Sequence, residues 1–279
     1  MILIWVMGCT CICLAGLIGW RQFDHHVDRV EMERLLATQP ADPAHFDADI
    51  VADLPEPARR FFTFAISEGT PLYTVANLEM AGQFGMGDTG APGYIPMVAT
   101  QVLAAPHGFV WTMSAGNGAM RMAGSDSASW TRFWLFGLVP VARFGGDRDH
   151  TRSAFGRYVA EAVFWTPAAV LPGPNVTWEA VSGNTARMTM RHAGLEQAVD
   201  VTVAENGQPL YVAFQRWSDA NPEKVHRLQP FGGYLSEFRD FGGFRLPTHV
   251  EAGNHFETET YFPFFIADVS EITFPQIDP

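Results

Sequence analysis

No Lys, Arg, Asp or Glu precedes Arg21, and no cysteine follows Cys13. The first absence leaves twenty uncharged residues, long enough as a helix rising about 1.5 Å per residue to cross a hydrocarbon core of about 30 Å. The second removes disulfides, thiolate metal sites and cysteine nucleophiles from the rest of the chain. Lysine is nearly missing: Lys224 stands alone against seventeen arginines. A phosphate-loop lysine is therefore excluded, and Schiff-base chemistry could fall only on that side chain. A formal net charge of −12 argues against a nucleic-acid partner, which draws affinity from clustered basic residues, and against simple attraction to anionic lipid surfaces. No Gly-x-Ser-x-Gly, Ser-x-x-Lys or His-Glu-x-x-His pattern occurs, and nothing implies a cofactor.

A cleaved secretory signal would begin with a basic residue and carry a shorter apolar stretch. Residues 1–20 do neither and are expected to form a retained transmembrane anchor. Val6-Met7-Gly8-Cys9 loosely matches an acylation box, but the residues after Cys9 stay apolar. Arg21, Arg29 and Arg34 follow the segment and favour a cytoplasmic flank.

Residues 21–45 are expected to be a helical extension, from Val27 to Ala37, and a linker broken by Pro40 and Pro43. The remainder, 46–279, suits a single domain. It opens with a helix over 55–67, whose apolar positions Ala58, Phe61, Phe62, Ala65 and Ile66 make one stripe. From Ala76 the period becomes two. Leu78, Met80 and Phe84, then Phe109, Trp111 and Met113, then Met188 and Met190, then Val199, Val201 and Val203 alternate with polar neighbours. Further runs bring the expectation to about ten or eleven strands of a large antiparallel sheet, either sandwich or barrel, with Phe256 placed on a strand. Phe-Gly-Gly at 144, 231 and 241 reads as a hairpin marker. A helix at 153–165 interrupts the strands and carries Tyr158, Glu161 and Trp165 on one side.

Leu54-Pro-Glu-Pro-Ala-Arg-Arg-Phe-Phe62, Phe109-Val-Trp111, Arg157-Tyr-Val-Ala-Glu161 running on through Trp165 to Leu171, and Arg216-Trp217 resemble, in this order and spacing, an uncharacterised bacterial family of unknown function. The resemblance covers nearly all of the chain after residue 50 and brings no activity with it. More distantly, the long meander with helices looks like the half-open barrel of the LolA and LolB lipoprotein carriers, in which a curved antiparallel sheet wraps an apolar cavity for acyl chains. That likeness implies an α+β fold on a large curved antiparallel sheet. It also implies a body on the extracytoplasmic side of the bacterial inner membrane and a lipid or lipid-linked partner.

Eight Trp, twenty-two Phe and eleven Met suggest more bulk than one core requires, and the surplus either packs under the helices or lines a groove for an apolar ligand. In the second case Trp111 and Trp165 serve the apolar part, and Arg157, Glu161 or Arg216 the polar end. Arg157 and Glu161 are spaced i, i+4 on the expected helix. Asp147-Arg-Asp149-His150 and His255-Phe-Glu257-Thr-Glu259 are the groupings most like metal sites, yet strand neighbours about 6.8 Å apart converge poorly on one ion, and no metal is expected. The favoured function is non-catalytic binding of a lipid or other apolar ligand. A hydrolase built on Asp126, His150 and Glu161, or an interaction module at the membrane, are the alternatives.

Overall fold

The computed structural model describes residues 2–118 and 121–276. Its frame is one sheet of thirteen antiparallel strands: β1 (Ala76–Gly85), β2 (Tyr94–Ala104), β3 (Gly108–Ala115), β4 (Met122–Ser127), β5 (Trp130–Leu135), β6 (Val139–Gly145), β7 (Val176–Ala180), β8 (Thr185–His192), β9 (Leu195–Val203), β10 (Pro209–Ser218), β11 (Arg227–Phe241), β12 (Phe244–Asn254) and β13 (Phe262–Thr273). The order across the sheet is β6-β5-β4-β3-β2-β1-β13-β12-β11-β10-β9-β8-β7. Two meanders are thus joined where β13 returns beside β1, with Asn77 opposite Thr273. The fold is α+β, as expected.

Three helices accompany the sheet: α1 (Ile2–Leu36), α2 (Glu56–Ala65) and α3 (Arg148–Trp165). Because β6 and β7 form opposite edges, the chain between them has to cross the whole sheet, and α3 makes that crossing over the concave face. Its buried residues Phe155, Tyr158, Val159, Val163 and Trp165 fill much of the hollow. Tyr158 meets Phe109 of β3 at 5.9 Å between ring centroids. Helix α2 closes the other part of the same face, where Phe61 and Phe62 pack on Trp178 of β7 at 5.8 and 5.2 Å. Glu56 at its start suits the positive helix end, and Pro57 in the first turn loses no intrahelical hydrogen bond.

The convex face is covered by α1. Its first turns are exposed, and by length and composition the helix could cross a membrane. From Trp20 onward it lies on β2 to β6. Trp20 meets Trp134 edge-on at 5.5 Å. Asp24 accepts hydrogen bonds from Arg143 at 2.6 Å and Trp134 Nε1 at 2.9 Å and pairs with Arg132, while Asp28 takes Arg132 and the Ser125 hydroxyl. Both carboxylates are buried. Desolvation pushes the Asp24 carboxyl up, but the hydrogen bonds from Arg143 and Trp134 and the two guanidinium charges outweigh it, so its pKa lies below the ordinary carboxylate value. Further on, Leu35 is buried with Val75, Val102, Ala104 and Val110. Gln39 follows in the proline-rich stretch, where its side chain bonds the backbone of Thr74, Val75 and Pro275.

Several local expectations are corrected. Strands β4 to β7 were not anticipated, since Met-Ala-Gly-Ser-Asp-Ser in β4 shows no apolar alternation and its small residues face α1 on one side and the hollow on the other. Residues 255–261 form a loop rather than a strand, because His255 and Glu257 adopt left-handed φ values of 57° and 59°. Helix α3 begins five residues before the expected 153, since the Asp147 side chain caps it by accepting from the His150 amide at 2.7 Å. Of the three Phe-Gly-Gly sequences only that at 241 makes a hairpin, with φ of 64° and 95° at its glycines. Gly145 and Gly146 lead from β6 towards α3. Gly232 lies inside β11, at a position where a Cβ would stand 2.6 Å from the Phe256 ring.

Candidate functional site

Trp111, Arg157, Glu161, Trp165 and Arg216 all border one cavity of about 290 Å³ between α3 and the concave face. Strand β3 presents Trp111 on the inner side of its alternation, next to Phe84 of β1 and Phe265 of β13 at 6.3 and 6.2 Å. Helix α3 supplies Arg157, Ala160, Glu161, Phe164 and Trp165, at the i, i+3, i+4 steps that put side chains on one face. Strand β10 adds Val212, Phe214 and Arg216 at alternate positions. Phe231 and Phe264, 6.0 Å apart, continue the wall, and Phe144 of β6, 62 % exposed, borders its open side.

Polar groups gather on one part of this wall. Arg157 Nε donates to Glu161 Oε1 at 2.8 Å and Arg157 Nη1 to Asp126 Oδ2 at 2.6 Å. Gln101 Nε2 donates to the other Glu161 oxygen at 2.6 Å, and the Thr131 hydroxyl to the other Asp126 oxygen. The guanidinium also lies 4.6 Å from the Phe109 ring centre and 5.1 Å from that of Trp111. Desolvation works against the Arg157 charge, but Glu161 and Asp126 outweigh it and its pKa is raised. Burial pushes the neighbouring Tyr158 hydroxyl well up, so it stays protonated. Arg216 is held differently. Its guanidinium lies 4.9 Å from the Phe231 ring centre, and burial and then the Arg157 charge push its pKa down to about 10.

The five residues expected from the sequence thus meet at one place, with unequal parts. Trp165 is 1 % exposed and donates to the Pro247 carbonyl, so most of it belongs to the core. Gln101, Phe144, Phe231 and Phe264 were missed. For Gln101 a signal existed, a lone amide inside the apolar run of β2, which in a buried strand needs a polar partner. The hydrolase trio does not assemble: Asp126 and Glu161 are taken by Arg157, while the His150 ring binds the Ser127 carbonyl at 3.1 Å. Among the described residues, the lining holds no Ser, Cys, His or Lys. No cluster of three metal-ligating side chains occurs among the described residues. Asp147 is instead the cap of α3, and Asp149 accepts from Trp217 Nε1 at 2.7 Å.

Fold and site together define a half-open antiparallel barrel with an aromatic-lined hollow and one charged cluster in its wall. Within that class, the chain belongs to the family of unknown function DUF6544, which matches residues 44–266. A comparison with curated proteins finds no match. Among solved structures it is similar to a LolA superfamily protein from Nitrosomonas europaea, at 10 % identity and a TM-score of 0.36, covering 79 % of this chain and 93 % of that one. A domain described as an outer membrane lipoprotein-sorting protein, from Vibrio parahaemolyticus, gives 10 % identity and a TM-score of 0.35 over 81 % and 91 % of the two chains. A DUF1329 family protein from Desulfovibrio piger gives 11 % and 0.39 over 81 % and 91 %.

Proposed function

We propose that this protein is a membrane-anchored, non-catalytic binder of a lipid or lipid-linked apolar molecule, and that the cavity under α3 receives the apolar chain. One observation carries the reading. Although α2 and α3 fill most of the concave side, a void of about 290 Å³ remains, walled by Phe84, Trp111, Phe164, Phe231 and Phe264 and bordered outside by Phe144. A well-packed core tolerates few spaces larger than a water molecule. A hollow of this size at the low end of ligand pockets, mostly aromatic with a few convergent polar groups, has the make-up of a binding site. Trp111 and Trp165 contribute apolar wall, and the cluster of Arg157, Glu161 and Arg216 faces the polar end. In this reading residues 1–20 lie in the bacterial inner membrane, 21–45 join them to the body, and 46–279 carry the site on the extracytoplasmic side.

The test uses the full chain in lipid nanodiscs with a diazirine-bearing hexadecanol as probe, the labelled peptides being mapped by mass spectrometry. Label is expected on α3 and on β11 and β13 as well as on the apolar half of α1. Ala160→Phe, which adds a ring to the cavity wall, should abolish the body label and leave that on α1. Label confined to α1 in the unaltered protein would remove the proposal.

A further inference from the structure

The two arginines at the cavity are not equivalent, and the difference describes the ligand. Arg157 is satisfied by Glu161 and Asp126. Among the described residues Arg216 makes no ion pair and no hydrogen bond, and its Nε is buried without an acceptor. Asp126 and Glu161 attract it from a distance, but their oxygens are engaged by Arg157, Thr131 and Gln101. Phe231 covers one face of its guanidinium. What remains is the edge of the fork, the side that binds a carboxylate or phosphate through two N–H groups. On the same wall Trp111 Nε1 is a second buried donor without an acceptor. A half-buried guanidinium whose Nε has no acceptor is costly to keep, and an arriving anion would supply one.

We propose that the occupant is a single-chain amphiphile ending in an oxyanion, a carboxylate or a phosphate monoester, and that Arg216 receives that end while the aromatic walls hold the chain. The inference rests on the chain-binding reading above. The volume of about 290 Å³ suits one chain. A neutral alcohol would leave the guanidinium without a counter-ion, and a quaternary ammonium end would add a further cation beside Arg216 and Arg157.

The experiment is competition against the diazirine-bearing hexadecanol on the full chain in nanodiscs, with palmitate, hexadecyl phosphate and unlabelled hexadecanol each titrated over the same range of mole fraction in the disc. Palmitate and hexadecyl phosphate are expected to suppress the body label at about tenfold lower concentration than hexadecanol, the equivalent of one modest ion pair. In Arg216→Gln the advantage of the two oxyanions over hexadecanol should be lost, and an advantage that survives overturns the role of Arg216. Acetate and inorganic phosphate, which lack the chain, should leave labelling unchanged, and displacement by either would show a free-anion site and overturn the amphiphile. Equal competition in the unaltered protein overturns the oxyanion and leaves the chain-binding reading in place; absence of body label in that protein overturns both.

Discussion

Arg157 and Asp126 belong to elements that are distant in sequence, and their pairing shows how burial sets the value of a charge. Removing the guanidinium in Arg157→Leu leaves Asp126 and Glu161 partly buried beside each other with no cation between them. The expected cost is about 3 kcal/mol, read as a lowered denaturant midpoint, and Glu161→Gln should cost less because its amide still accepts from Arg157. On the outer side, His249 of β12 sits between Asp268 of β13 at 2.7 Å and Glu251 at 3.3 Å. The hydrogen bond to Asp268 raises its pKa, desolvation opposes the rise, and Glu251 adds to it. A raised value in the folded state means that the imidazolium stabilises the fold fully below the unfolded histidine value of about 6.5. That contribution fades as pH climbs through the folded value. Denaturation midpoints measured from about pH 6 to about pH 9 should decline, and Asp268→Asn should flatten the slope. At this scale the sequence exposed what is local. The Arg157–Glu161 spacing could be read directly, whereas Gln101 and Asp126 join them only through the pairing of β2, β3 and β4, which no local pattern encodes.

Among the elements, α3 was found from composition but not from its start, because the signal there is one capping carboxylate, Asp147, whose surroundings look like a metal-binding string. Helix α2 was legible throughout: a single apolar stripe with Ala58, Phe61, Phe62 and Ala65 has only one way to bury itself. Strands β4 to β7 were illegible for a physical reason. The faces of β4 to β6 meet α1 on one side and a partly polar cavity on the other, so they do not alternate between greasy and wet, and β7 is a five-residue edge strand with one buried side chain, Trp178. The lower half of α1 offers the clearest test at this scale. Asp24 and Asp28 lie just past the apolar segment, where no local pattern shows what they pair with, and in the fold they are the counter-charges of Arg132 and Arg143. Asp24→Ala should leave those guanidinium groups unmatched, cost about 3 kcal/mol and release residues 24–36 to fast amide hydrogen exchange while the sheet stays protected. Slow exchange of that segment in the variant would show that Leu35 and Trp20 hold it without the ion pairs.

For the whole molecule, the order of strands decides where a hollow can exist. Placing the two ends of the meander at opposite edges forces the connecting helix across the middle, and α3 is narrower than the curved surface it spans. Composition hinted at surplus aromatic bulk. It could not show how much of that bulk packs inward, as Trp165 does, and how much is left facing space, as Phe144 is. The side of the membrane is open to a direct measurement, since Arg21, Arg29 and Arg34 pull against the extracytoplasmic assignment. Alkaline phosphatase fused after Pro279 is expected to be active in intact cells, and an inactive, stably expressed fusion would put the body in the cytoplasm.

Helix α1 runs from Ile2 to Leu36 without a break, and its second half is clamped to the sheet by salt links. With the first half embedded, such a junction acts as a mast and not as a leash: the body can neither drift from the bilayer nor turn freely above it. A ligand bound by a body held in this way would stay within a fixed reach of the same bilayer.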